Sequence, residues 1–154
     1  MKKFPSSSIN VKIVGVGGAG GNALLRMLKG GLSNTEVIAL NTDVQALKNL
    51  GDIRSFAIGP NATKGLGSGG QPEIGRKAIR ESSEQVGIML QGSDMVFIAC
   101  GMGGGTGTGA SATVADIARK QGALTVGVVT LPFSFEGPRR RAIAEQGLYN
   151  LQQK

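Results

Sequence analysis

GMGGGTGTG, residues 101–109, sits where an apolar run gives way to a helical pattern. Before it, DMVFIAC (94–100) has the character of a short buried strand; after it, ASATVADIARKQG (110–122) reads as a helix ending near Gly122. Gly101, Gly103, Gly104, Gly105, Gly107 and Gly109 leave the turn almost without side chains. Its backbone N–H groups are therefore open, and the start of a helix adds partial positive charge, a combination suited to phosphate. Thr106 and Thr108 are placed to cap the helix or to offer hydroxyls to an anion. A flexible linker is the other reading of such a run, but a linker does not fit between a buried strand and a helix. Valine at Gly105 is expected to block a phosphate while leaving the fold intact.

Working outward, strand and helix alternate along the whole chain. INVKIVGV (9–16) reads as the first strand, GGAGGN (17–22) as a glycine turn and ALLRMLKGG (23–31) as a helix with its stop. EVIAL (36–40) and IRSFAI (53–58) are the next strands, with a short helix, VQALKN (44–49), between them. GPNATKGLGSGG (59–70) is a long polar loop, and loops of that length are usually functional or disordered. Pro72 opens a helix predicted to reach about Gln91, with Glu73 and Lys77 as an i,i+4 pair. ALTVGVV (123–129) is the fifth strand, and Pro138 opens the last helix. Alternation of this kind predicts a parallel, doubly wound sheet in the order 3-2-1-4-5. Its ligand crevice lies at the carboxyl ends of strands one and four, and those two strands carry the richest glycine turns.

Composition narrows the function. The 154 residues suit one domain, with residues 1–8 as a loose tail. The net charge is +7, which favours anionic ligands, but aromatics make up only 4%, too few for single-strand stacking platforms; no nucleic-acid partner is expected. There is no histidine and one cysteine, Cys100, which reads as a small buried residue. That excludes a Ser-His-Asp or Cys-His arrangement and argues against a zinc site. No apolar stretch approaches ~18 residues and the start lacks a clean signal-peptide core, so a cytoplasmic protein without membrane insertion is expected. No pair of carboxylates marks a general acid and base, and no catalytic residue is assigned.

Gly15-Val16-Gly17-Gly18-Ala19-Gly20 fits G-x-G-x-x-G after a strand, which by itself also fits the dinucleotide fold of a NAD-dependent oxidoreductase. An oxidoreductase, however, needs no second phosphate loop after strand four. Gly104 to Thr108 within GGGTGTG, taken with four further motifs in order, resemble the tubulin/FtsZ superfamily of GTPases, and most of all its cell-division branch. The resemblance runs from about Val11 to the end and covers the family's nucleotide-binding half. It implies a three-layer, Rossmann-like domain binding GTP or GDP with Mg2+. By resemblance Gly18, Ala19, Gly20, Gly21 and Asn22 form the first nucleotide loop, and Asp43 belongs to a second motif, Asn41 to Leu47. Asp43 also suits a helix cap. Residues 65–73, with Ser68, Gly69 and Gly70, resemble the loop that senses the terminal phosphate; Gly104, Gly105, Thr106, Gly107 and Thr108 are the main phosphate turn. Glu136 would accept from ribose hydroxyls, and Arg140 matches a nucleotide-contacting arginine. Arg139, Arg140 and Arg141 crowd the first turn of a helix, where cations oppose the dipole and an anion is wanted.

The same resemblance implies a protein that polymerises into filaments with full-length subunits, hydrolyses GTP during bacterial cytokinesis and meets other cell-division proteins at mid-cell. In the family an asparagine and an aspartate beyond this sequence read guanine, and a second domain of the adjacent subunit supplies the hydrolytic groups. Strand five is almost continuously apolar yet lies at an edge, and the last helix has no capping glycine. Both features predict a domain lacking its last strand, with residues 9–154 as a truncated GTP-binding domain. A non-catalytic, filament-capping fragment is the corresponding alternative function.

Overall fold

The computed structural model describes residues 8–154. Of the expected N-terminal tail, only Ser8 falls within them. The strands are β1 (Val11–Val16), β2 (Glu36–Asn41), β3 (Arg54–Ala57), β4 (Met95–Gly101) and β5 (Leu124–Thr130). The helices are α1 (Gly17–Lys29), α2 (Val44–Lys48), α3 (Pro60–Thr63), α4 (Pro72–Glu81), α5 (Ser83–Leu90), α6 (Thr106–Lys120) and α7 (Pro138–Gln152), with a 3-10 turn at Ser134–Glu136. All four strand pairings are parallel, and the order is β3-β2-β1-β4-β5, as predicted. The sheet therefore reverses between β1 and β4, which run side by side from Val11↔Met95 to Val16↔Cys100.

Two apolar clusters cover the two faces. Val14, Val16, Ile98 and Cys100 join Ile79, Val86 and Val114 on the side of α4, α5 and α6. Leu24, Ala39, Leu47, Leu50 and Ile53 pack on the side of α1 and α2. Burial on both faces explains why the central strands are continuously apolar rather than alternating. β5 is the exception: as an edge strand, every residue from Leu124 to Thr130 is half-buried or exposed. Lys12, the one cation within β1, is also buried, and its ammonium donates to Met89 O at 2.6 Å and lies 3.3 Å from Glu36. That pairing satisfies a charge that would otherwise be costly in a strand interior.

Several local elements differ from the sequence reading. GGAGGN is not a turn before a helix but the first turns of α1, which begins at Gly17. The glycines let those turns lie on the sheet: a Cβ at Gly20 would stand 2.4 Å from Ala99 O, and one at Gly15 would stand 2.5 Å from Gly20 O. The loop 59–70 contains α3. The helix expected to run from Pro72 to Gln91 breaks at Ser82, whose buried hydroxyl accepts from Gly59 N–H at 2.9 Å. A serine side chain bonded to a distant backbone group in this way gives the chain an alternative to continuing the helix. Glu73 pairs with Arg76, one residue nearer than the expected Lys77.

Candidate functional site: a glycine-lined crevice

At the carboxyl ends of β1 and β4 lies a crevice of about 1040 Å³. Two long helices begin in it. Gly17, Gly18 and Ala19 bring in the start of α1, and Gly105, Thr106 and Gly107 the start of α6. Neither N-terminus has a side-chain cap, and neither has an acidic residue in its first turn. The first N–H groups of a helix have no partner within it, so two sets of donors and two positive helix ends converge on one space. The helix starts also touch: a Cβ at Gly17 would be 2.9 Å from Gly107 N.

A chain of buried hydroxyls ties the walls together. Thr106 Oγ1 is 2.7 Å from Thr42 Oγ1 and donates to Ser68 Oγ at 3.2 Å. Thr106 therefore does not cap α6, and Thr108 does not either; the Thr108 hydroxyl accepts from Gly103 N–H at 2.9 Å and braces the turn from behind. The loop carrying Ser68 is pinned to the segment after β2, because Val44 N–H donates to Gly65 O and Gly67 N–H to Thr42 O. Asn41 Oδ1 accepts from Thr42 N–H at 2.8 Å, and Asp43 Oδ1 caps α2 by accepting from Gln45 N–H and Ala46 N–H. Thr106→Val removes the central hydroxyl and leaves those of Thr42 and Ser68 with fewer partners in a buried place. We expect thermal or denaturant unfolding to show a loss of about 1–3 kcal/mol; an unchanged midpoint would mean that the chain of hydroxyls does not hold the loops.

The opposite rim comes from the segment after β5. Phe133 and Phe135 are exposed and stack, with ring centroids 5.3 Å apart. Glu136 is engaged at both oxygens, each with room for a further donor: Oε2 accepts from Phe133 N–H at 2.6 Å and Oε1 from Arg140 at 2.9 Å. This pair sets Arg140 at the crevice. Cys100, beneath the turn, is buried, and burial pushes its thiol up to about 11, which makes it a packing residue rather than a nucleophile.

Of the residues singled out from the sequence, Gly18, Ala19, Asp43, Ser68, Gly69, Gly70, Gly104, Gly105, Thr106, Gly107, Glu136 and Arg140 line this one crevice. Gly20, Gly21, Asn22 and Thr108 do not. Gly20 and Gly21 are buried where α1 packs, Gly21 with Leu50 only 3.1 Å from its missing Cβ, and Asn22 is exposed. The structure adds Gly17, Asn41, Thr42, Gly67 and Gly103 to the lining. Asn41 ends β2 and Thr42 follows it, beside β1, and both lie in the Asn41–Leu47 motif, of which only Asp43 is singled out from the sequence. Gly105 also has a different place from the one expected. A Cβ there would meet Ser68 Oγ at 2.1 Å and Gln71 N at 2.7 Å, so valine would push two loops apart. Gly104 is the position that faces open space, with no atom within 4 Å of its missing Cβ.

Comparison with known proteins agrees with this architecture. The family described as "Tubulin/FtsZ family, GTPase domain" matches residues 10–154. The cell division protein FtsZ of Pseudomonas aeruginosa is 51% identical over 138 residues, which are 90% of this chain and 35% of that protein. The chain thus spans about a third of the length of this curated relative. Among solved structures, the empty FtsZ dimer of M. jannaschii superposes with a TM-score of 0.92 at 46% identity, over 97% of this chain and 43% of that one. CetZ2 from Haloferax volcanii, solved as a GTPγS-bound protofilament, superposes with a TM-score of 0.83 at 25% identity, over 94% of this chain and 46% of that one.

Proposed function

We propose, from the premise that this chain belongs to the tubulin/FtsZ family and matches its GTPase domain, that the crevice binds GTP and GDP through their phosphates. The observation that carries this reading is the convergence of two uncapped helix N-termini, α1 and α6, on one glycine-lined space. Gly18 and Ala19, with Gly104 to Gly107, offer backbone N–H groups to the phosphates. Ser68, Gly69 and Gly70 face the terminal phosphate from the pinned loop. Glu136 meets the ribose, and its pairing with Arg140 holds a guanidinium ready for an anion. Gly20, Gly21 and Thr108 serve this site from behind, by letting α1 pack and by bracing the turn, and Asn22, exposed on α1 outside the lining, is proposed to approach the nucleotide only once it is bound.

Magnesium fits as an ion carried by the nucleotide. The described residues contain no group of three metal-ligating side chains, but Asp43 lines the crevice and offers carboxylate oxygen beside phosphates. Mg2+ commonly binds in this way, keeping waters and using one or two carboxylates. When bound it would neutralise phosphate charge.

The whole protein would be a cytoplasmic cell-division GTPase that assembles into filaments at mid-cell and meets other division proteins there. Support comes from the relatives named cell division proteins and from the protofilament neighbour. No described helix is long and apolar enough to cross a membrane.

Calorimetric titration of the chain with GTP, GDP, ATP and NAD tests the nucleotide reading. GTP and GDP should bind, and NAD should not. Gly104→Val should weaken both guanine nucleotides tenfold or more, equal to a loss of about 1.4 kcal/mol, with the melting temperature unchanged. Preference for NAD with no triphosphate binding would overturn the proposal.

A further inference from the structure

We infer that Arg139 is a second cation for the terminal phosphate and sets the preference for a nucleoside triphosphate over the diphosphate; this rests on the nucleotide reading of the crevice. Beside the crevice lies a smaller cleft of about 250 Å³, lined by Gly69, Gly70, Gly103, Gly104, Arg139 and Arg140 among others. The same four glycines line the crevice, so the two spaces meet across the two glycine loops. No atom stands within 4 Å of the missing Cβ of Gly70 or Gly104. At those two positions no side chain fills the space between cleft and crevice.

The three arginines at the start of α7 are not equivalent. Arg140 pairs with Glu136 and Arg141 with Glu145. Among the described residues Arg139 has no carboxylate partner. It lies in the first turn of a 15-residue helix that has no side-chain cap and no acidic residue in that turn. A cation there is opposed by the helix dipole, and an anion in front of it relieves the conflict. The anion within reach of the cleft is one held against Gly69–Gly70 and Gly103–Gly104. A diphosphate lacks the group that occupies that end, so Arg139 acts on the triphosphate selectively. Its guanidinium forms a charge-assisted hydrogen bond, the strong kind, although at an exposed position solvent reduces its worth.

The test is calorimetric titration of the chain and its Arg139→Ala, Arg139→Gln and Arg139→Lys variants with GTPγS and with GDP. Arg139→Ala and Arg139→Gln should weaken GTPγS roughly five- to twentyfold and GDP less than about twofold. Arg139→Lys, which keeps the charge without the planar fork, should recover part of the loss. The melting temperature without nucleotide should not change, because the side chain is exposed and unpaired. Equal losses for GTPγS and GDP, or no loss for either, would overturn the assignment of Arg139 alone. Failure of the unsubstituted chain to bind either nucleotide would overturn the reading of the crevice and this inference with it.

Discussion

Valine in place of Gly109 is expected to lower stability by about 3–5 kcal/mol, or to prevent folding at moderate temperature. Gly109 lies in the first turn of α6, where α4 crosses it. A Cβ at that position would be 2.0 Å from Pro72 O and 2.9 Å from Arg76 N, both backbone atoms of α4. Gly75 answers from the other helix, with its missing Cβ 2.5 Å from Gly105 O. The helices thus meet backbone to backbone at both points, and no rotamer change can make room. Alanine would gain about 1 kcal/mol of helix propensity over glycine, which the clash outweighs; valine adds two methyl groups to the same clash. The consequence reaches the crevice, because this crossing sets the start of α6 beside the loop carrying Ser68. Chemical denaturation followed by circular dichroism measures the loss. Wild-type stability in Gly109→Val would show that α4 can move away from α6 without cost.

Phosphate release from GTP by the chain alone is expected to be more than roughly 10³-fold below the about 10 s⁻¹ of a typical enzyme. Hydrolysis needs a group to orient and deprotonate water at the terminal phosphate. Two carboxylates line the crevice. Asp43 uses Oδ1 to cap α2, and Glu136 spends one oxygen on Phe133 N–H and the other on Arg140. The hydroxyls of Thr42, Thr106 and Ser68 are occupied with one another. The remaining oxygen of Asp43 is the one proposed for Mg2+, and on the nucleotide reading the water-orienting groups are proposed to come from an adjacent subunit. A phosphate-release assay over a range of protein concentrations is decisive. Turnover of several per second, linear in concentration, would place the catalytic groups within this chain.

Much of this was legible in the residues. Alternation of strands with helices led to the parallel order, whereas the almost continuously apolar run of β5 lies at an edge with every residue half-buried or exposed. The two glycine-rich segments after β1 and β4 point to the crevice from the sequence alone. The sequence suits Asp43 both to a cap and to the site, and it caps α2 while lining the crevice. The misreadings have a common cause. A run such as GGAGGN has poor helix propensity, so it read as a turn; α1 forms there because close approach to Ala99 O and Gly15 stabilises what propensity disfavours. The break at Ser82 depends on Gly59, a partner 23 residues away that no local pattern reveals.

By itself the sequence determined the five strands, most of the helices, the parallel order of the sheet and the glycine-rich character of the crevice. Those follow from periodicity and from the conformational freedom of glycine, both local properties. Only the tertiary structure decided which glycine faces open space and which is a packing contact, Gly104 or Gly105. It alone joined Thr42 to Thr106 across 64 residues and Thr106 to Ser68 across 38. It alone separated Arg139 from Arg140 and Arg141 by giving the other two carboxylate partners. These outcomes depend on distances between segments far apart in the chain, and such distances are set by how helices and loops pack on the sheet.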